Sequence, residues 1–248
     1  MYEDFNEMLY LMEHAYKALE QGMASKPDLV NLSFGEAFRF KEKNIYEAMI
    51  QKLARAQSLV RAAQVLLNNS FLQEQSILHR AIDETNEDIM FLVYAVTNDT
   101  ITDLHQKFLD AFWEEEIDAS GNIIDSDQKR PMVPRKKIRA YLARIEGVGF
   151  DQSRGVEVTR TLSKAYSGFV HGASPHIMDL YGGNPAHFHV TGMQGTTRMK
   201  EHTDDLWNYM YRTYISHIAV ARAFGAEEVV EPLLEHKVRF EKNAGKEY

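Results

Sequence analysis

Four of the ten histidines in this chain, His171, His176, His187 and His189, fall within the stretch "YSGFVHGASPHIMDLYGGNPAHFHV", residues 166–190. Imidazole can act as a general acid or base, ligate a metal, or simply satisfy a loop, and spacing helps to separate these roles. His187 and His189 are two apart, so an extended backbone carries both rings on one side, as a chelating pair requires. His171 instead closes a helical stripe, Arg160, Lys164, Ser167 and His171, opposite the apolar line Val158, Leu162, Ala165 and Phe169. At a helix C-terminus the macrodipole favours the charged imidazole, which suits a general acid and equally a plain cap.

A second constellation is "HRAIDETNED", residues 79–88, where Arg80, Glu84 and Asp88 follow one another at intervals of four. On a helix that spacing makes one ladder, either an ion pair plus a satisfied acid or two carboxylates able to share a proton or hold a divalent ion. A metal site without cysteine would draw on His187, His189 or His171 with Glu84 or Asp88. No HExxH pattern, phosphate-binding glycine loop, dinucleotide fingerprint or GxSxG elbow occurs.

The elements that must position these residues are helical. Only six prolines occur in 248 residues, Lys41 to Ser120 holds neither glycine nor proline, and period-two alternation never runs beyond a few residues. Helices are predicted near 3–21, 44–69, 70–97, 101–117, 135–146, 152–170, 196–224 and 226–242. Asn44 with Glu47 and Ser70 with Gln73 have capping-box spacing, and Gly225 suits a left-handed helix end.

Within the 70–97 helix Leu78, Ile82, Thr85, Ile89, Leu92 and Val96 form a core line, which puts His79, Asp83, Asn86 and Glu87 on a solvated face and leaves Glu84 and Asp88 half-buried on a flank. Along 196–224 the core line includes His217, read as a satisfied core histidine. Trp207, Tyr209, Tyr211 and Tyr214 around that helix suit packing or an interface, and can alternatively stack on bases. The expected architecture is a single all-α multi-helix bundle of about eight helices, 1–248, with a long irregular His/Gly/Pro loop near 171–195. An N-terminal appendage over 1–43 and a seam loop at 118–134 are its expected exceptions.

Composition limits the function classes. A formal charge of −8 and a pI near 5.7 disfavour general coating of nucleic acid, so any such contact needs a local basic cluster. Absence of cysteine removes disulfides, thiolate nucleophiles and Cys-ligated zinc. The start "MYEDFNEMLY" lacks a basic n-region, and the apolar run "IMFLVYAV" is too short to span a bilayer, so a cytoplasmic protein without membrane contact is expected.

A helix carrying "RAIDE" followed downstream by a helix ending "YSGFVHG" resembles the HEPN-like helical superfamily, and more narrowly a bacterial branch with an Arg-xxx-Glu helix and a late Ser-xxx-His helix end. The likeness covers roughly residues 45–225. It implies a helical, often dimeric protein of defence or RNA-processing systems, with a catalytic arginine followed, after four to six intervening residues, by a histidine near a helix end. His171 matches that histidine, whereas the arginine positions hold Lys164, Ala165 and Tyr166. Lysine lacks the planar fork that clamps a phosphate, so the motif is degenerate.

The reading that follows is a dimeric binding or regulatory module, with RNA or a partner protein as its target and no cofactor expected. The alternatives are a metal-independent ribonuclease using His171 with Arg80, Glu84 and Lys164, and a metal-dependent hydrolase using Glu84 and Asp88 with His187 and His189.

Overall fold

The computed structural model describes residues 2–33, 35–115, 132–146 and 166–244. Helix α1 (Tyr2–Gly22) leads into an antiparallel hairpin, β1 (Asp28–Leu32) and β2 (Gly35–Arg39). Three helices follow, α2 (Ile45–Asn68), α3 (Leu72–Thr97) and α4 (Asp103–Trp113), and then α5 (Arg135–Glu146). The helical residues 166–170, here α6, precede the short α7 (Ser174–Met178) and the two-residue strands β3 (Tyr181–Gly182) and β4 (His187–Phe188). Helices α8 (Arg198–Ala223) and α9 (Glu227–Ala244) complete an all-α bundle.

The antiparallel pair α2 and α3 forms the centre, with α8 laid across both; α1 and α9 flank α8, α4 packs on α2 and α3, and α5 packs on α3. Ile82, Ile89 and Leu92 of the predicted α3 line are fully buried beside Leu53, Met210 and Tyr214. Apolar burial of this kind, worth about 25 cal/mol per Å², is the main source of stability. Helix α1 belongs to this core, since Phe5, Met8 and Met12 are fully buried. The hairpin that follows is tied to the end of α4 by Arg39, whose Nε and Nη2 donate to Glu115 at 2.5 and 2.9 Å.

Four helices end alike. After α2, α3, α6 and α8 a residue with left-handed backbone (Ser70, Asp99, Gly172 and Gly225) lets the next amide reach back to the carbonyl five residues earlier. Gly225 fulfils its predicted role, with Ala226 N donating to Ala221 O at 3.0 Å. Ser70 departs from its expected N-cap role. Its φ of 63° closes α2, its hydroxyl meets the Gln194 side chain at 2.5 Å, and the Gln73 amide donates to the His176 carbonyl. Asn44 does cap α2, accepting from the amides of Tyr46 and Glu47, while the Glu47 carboxylate turns to Ser25. The seam at 118–134 lies outside the described residues but for 132–134. Among the described residues no helix is long and apolar enough to cross a membrane.

Candidate functional site

The chemistry-bearing side chains gather along α3. The face expected to be solvated is buried, because α5 covers one flank and α8 the other: Asp83, Asn86 and Glu87 are each at most 9% exposed, His79 is inaccessible, and Asp88, expected half-buried on a flank, is buried as well. Periodicity locates one stripe facing the apolar core, and a helix gripped from three sides has further buried faces that polar residues can occupy if each finds a partner.

Most of them do. Asp83 accepts from Arg212 Nη1 at 2.5 Å, and Glu84 from Arg80 Nε at 3.1 Å. Glu87 accepts from Arg139 Nε at 2.8 Å, with Arg135 Nη2 3.0 Å from its other oxygen. Asp88 takes Lys52 Nζ at 2.7 Å and Arg135 Nη1, whose Nη2 also donates to the Glu84 carbonyl. Four carboxylates therefore face five cations, and the seam neutralises itself. Burial pushes the Glu87 carboxyl up, and the two arginines pull it back. Asn86 donates to Thr213 Oγ1 at 3.1 Å and accepts from Ser216 Oγ at 2.9 Å, joining α3 to α8.

Toward the N-terminal end of α3 the seam becomes aromatic. His79 stacks on Tyr209 with ring centres 4.2 Å apart, and Tyr166 lies edge-on to it at 5.9 Å. Neither His79 nitrogen has a hydrogen-bond partner among the described residues, and burial, with His202 nearby, pushes its pKa down to about 3. Tyr209 is hydrogen-bonded to Tyr166, whose hydroxyl donates to Asp205 at 3.3 Å. Burial lifts the Tyr166 phenol to about 12 and raises the Asp205 carboxyl. These groups stay protonated phenols and a neutral imidazole near neutral pH, which suits rigid packing.

Among the sequence-predicted site residues, Arg80 and Glu84 meet as the i,i+4 pair described above. His171 is exposed and directly follows α6, its amide bonded to the Ser167 carbonyl at 3.0 Å. Tyr166 lies edge-on to His79 of α3, and Phe169 packs against the His176 ring, whose carbonyl accepts from the Gln73 amide. Among the described residues no hydrogen bond or ion pair joins His171 to Arg80. Lys164 and Arg160 lie outside the described residues.

His187 and His189 do come together, ring centres 4.4 Å apart, with His187 Nδ1 2.9 Å from the Pro185 carbonyl. Glu84 and Asp88 do not join them. Both acids are held by cations, and among the described residues no group of three or more His, Asp or Glu side chains is placed to hold a metal.

His217 is the satisfied core histidine expected from its position, with Nδ1 2.8 Å from the Thr213 carbonyl and the Gln57 side chain 3.3 Å from Nε2. The α8 aromatics are packing groups. Trp207 stacks on Tyr211 and on Phe240 of α9, and Tyr214 donates to the Leu233 carbonyl at 3.0 Å. Sequence reasoning missed Arg135, Arg139 and Arg212; the i,i+4 spacing of the first two, matching Glu84, Glu87 and Asp88, was the signal for an inter-helix ion-pair ladder. Compared with family models, curated proteins and solved structures, the chain matches none.

Proposed function

We propose that the chain is a HEPN-like helical module that binds and regulates rather than cuts, acting as a homodimer in a defence or nucleic-acid-linked setting. The supporting observation is the surface built by residues 170–190, where Val170, Ile177, Met178, Tyr181, Phe188 and Val190 are all at least 41% exposed beside His171. Clustered apolar exposure of this kind marks interaction surfaces, and symmetric self-association is the commonest use of one. The acids a cutting site would recruit are consumed by the α3 ladder, which agrees with the degenerate motif at Lys164.

The test is oligomeric state by light scattering for the wild type and for Phe188→Glu with Val190→Glu. A dimer that the double substitution turns into a folded monomer is the expected result; a wild-type monomer at high protein concentration, or a dimer indifferent to both charges, refutes the reading. A ribonuclease is the second reading, since His171 is exposed and a dimer can bring a cation from the partner to it. It requires RNA cleavage that His171→Ala abolishes.

A further inference from the structure

Helix α5 carries a charge opposite to that of the chain. Residues 135–146 hold five bases, Arg135, Lys136, Lys137, Arg139 and Arg144, and one acid, Glu146, in a protein of formal charge −8. The helix packs on α3, buries Ile138, Tyr141 and Leu142, and turns Arg135 and Arg139 to the carboxylates of the ladder. At 100° per residue the exposed Lys136, Lys137, Ala140 and Arg144 share an arc of about 100° on the opposite side.

The three cations of that arc have no acidic partner. Lys17, Lys41, Arg61 and Arg239 are exposed bases each held by a carboxylate. Among the described residues no carboxylate pairs with Lys136, Lys137 or Arg144. Arg144 is ordered from beneath instead, its guanidinium 5.5 Å from the centre of the buried Tyr141 ring. Tyr141 is itself fixed edge-on to Phe91 and His105, with ring centres 5.0 and 4.7 Å away. A planar fork resting on a ring keeps its outward N–H groups available and loses less rotamer freedom on binding.

The composition of this face selects its partner. Protein interfaces place apolar and aromatic groups at their centre and are depleted of lysine. Among the described residues none of the exposed large apolar side chains belongs to α5, and the small Ala140 stands between the cations, where a phosphate chain can lie close. Lys136 and Arg144 are eight residues apart, about 12 Å along the axis, a span covered by a few nucleotides of one strand at about 3.4 Å each.

We infer that the outer face of α5 binds the phosphodiester backbone of a nucleic-acid strand, with Lys136 and Lys137 as point charges and Arg144 as a bidentate clamp. Such contacts carry no base information, so binding is sequence-tolerant, and three cations on an acidic protein confine it to low salt. The inference gives a surface to the nucleic-acid-linked setting proposed above and rests on that part of the reading alone. Self-association through residues 170–190 is separate from it.

Fluorescence anisotropy of the full chain with labelled oligouridylate and oligothymidylate strands of about 20 nucleotides tests this. Both should bind at about 20 mM salt, and raising the salt to about 100 mM should weaken binding about thirtyfold, the effect of three neutralised phosphates at a slope of about −0.7 each. Lys136→Ala, Lys137→Ala and Arg144→Ala together should reduce affinity at least about tenfold at the lower salt. Arg55→Ala, Lys107→Ala and Arg222→Ala, which remove the same charge from exposed positions elsewhere, should reduce it by no more than about threefold. Lys136→Ala with Lys137→Ala alone should flatten the salt slope from about −2 to about −0.7, and this pair decides the matter should the triple variant fail to fold. No binding at low salt, equal losses in the two triple variants, or a labelled glutamate polymer of the same length bound as tightly as the strands, which assigns the face to an acidic protein, overturns the inference. A wild-type monomer that binds the strands as described refutes self-association and upholds this inference; a dimer that does not bind them does the reverse.

Discussion

Acidification should unfold this protein through two buried histidines that have no access to water. An imidazole in the unfolded chain titrates near 6.5, whereas burial holds His79 down to about 3 and His217 down to about 4. The unfolded state therefore binds more protons between those values, so the contribution is absent above about pH 6.5 and destabilises progressively as pH falls toward 3 to 4. At about pH 5 each imidazole lies roughly 1.5 units below its unfolded midpoint, and at about 1.4 kcal/mol per unit each costs about 2 kcal/mol, or about 4 together. That is a large part of the 5 to 15 kcal/mol typical of a domain. His105 and His202, also lowered by burial, act in the same direction. The raised carboxyls of Glu87 and Asp205 act oppositely, and only at pH values nearer the carboxylate range.

Urea unfolding at a series of pH values reads this slope. His79→Phe keeps an aromatic ring against Tyr209 and removes one titrating group, so it should recover about 2 kcal/mol of the loss between about pH 8 and pH 5. A wild type equally stable at both pH values, or a His79→Phe variant that loses stability as steeply as the wild type, refutes the reasoning.

Other substitutions probe the seam and the loop. Glu87→Ala leaves Arg139, 9% exposed, without its carboxylate and should cost about 3 to 5 kcal/mol by chemical denaturation. Tyr214→Phe removes the bond to the Leu233 carbonyl at full burial and should cost about 1 kcal/mol in the same assay. A methyl at Gly168 would meet the His176 ring at 2.0 Å, so Gly168→Ala should displace that ring from Phe169, shift both sets of NMR resonances and lower the unfolding midpoint; in a His176→Ala background the same substitution should cost little further stability.

The bundle was legible in the sequence because its long helices carry strong three-four periodicity and chemical ends. The stretches 135–146 and 44–69 were predicted within a residue or so, and Gly225 closes α8 as its type requires. Periodicity could not count how many neighbours grip a helix. It therefore assigned Asp83, Asn86 and Glu87 to solvent when α5 and α8 bury them, and it gave no hint that Arg212 would reach Asp83 from 129 residues away. The hairpin at 28–39 was missed because each strand is five residues long and half-exposed, with too few buried positions to alternate. At the candidate site, the sequence paired Arg80 with Glu84 correctly and singled out His171. It also offered Asp88 as a ligand, since a lone carboxylate looks the same whether it awaits a metal or, as here, faces Lys52 and Arg135.

The α3 carboxylates brace the fold, and the role proposed for the chain is binding rather than cutting. Incubation of labelled single-stranded RNA with wild type and His171→Ala, each at high enzyme concentration and with and without divalent metal, tests it most directly. Intact RNA in every lane is the expected result. Cleavage by the wild type that His171→Ala or metal chelation abolishes would contradict it.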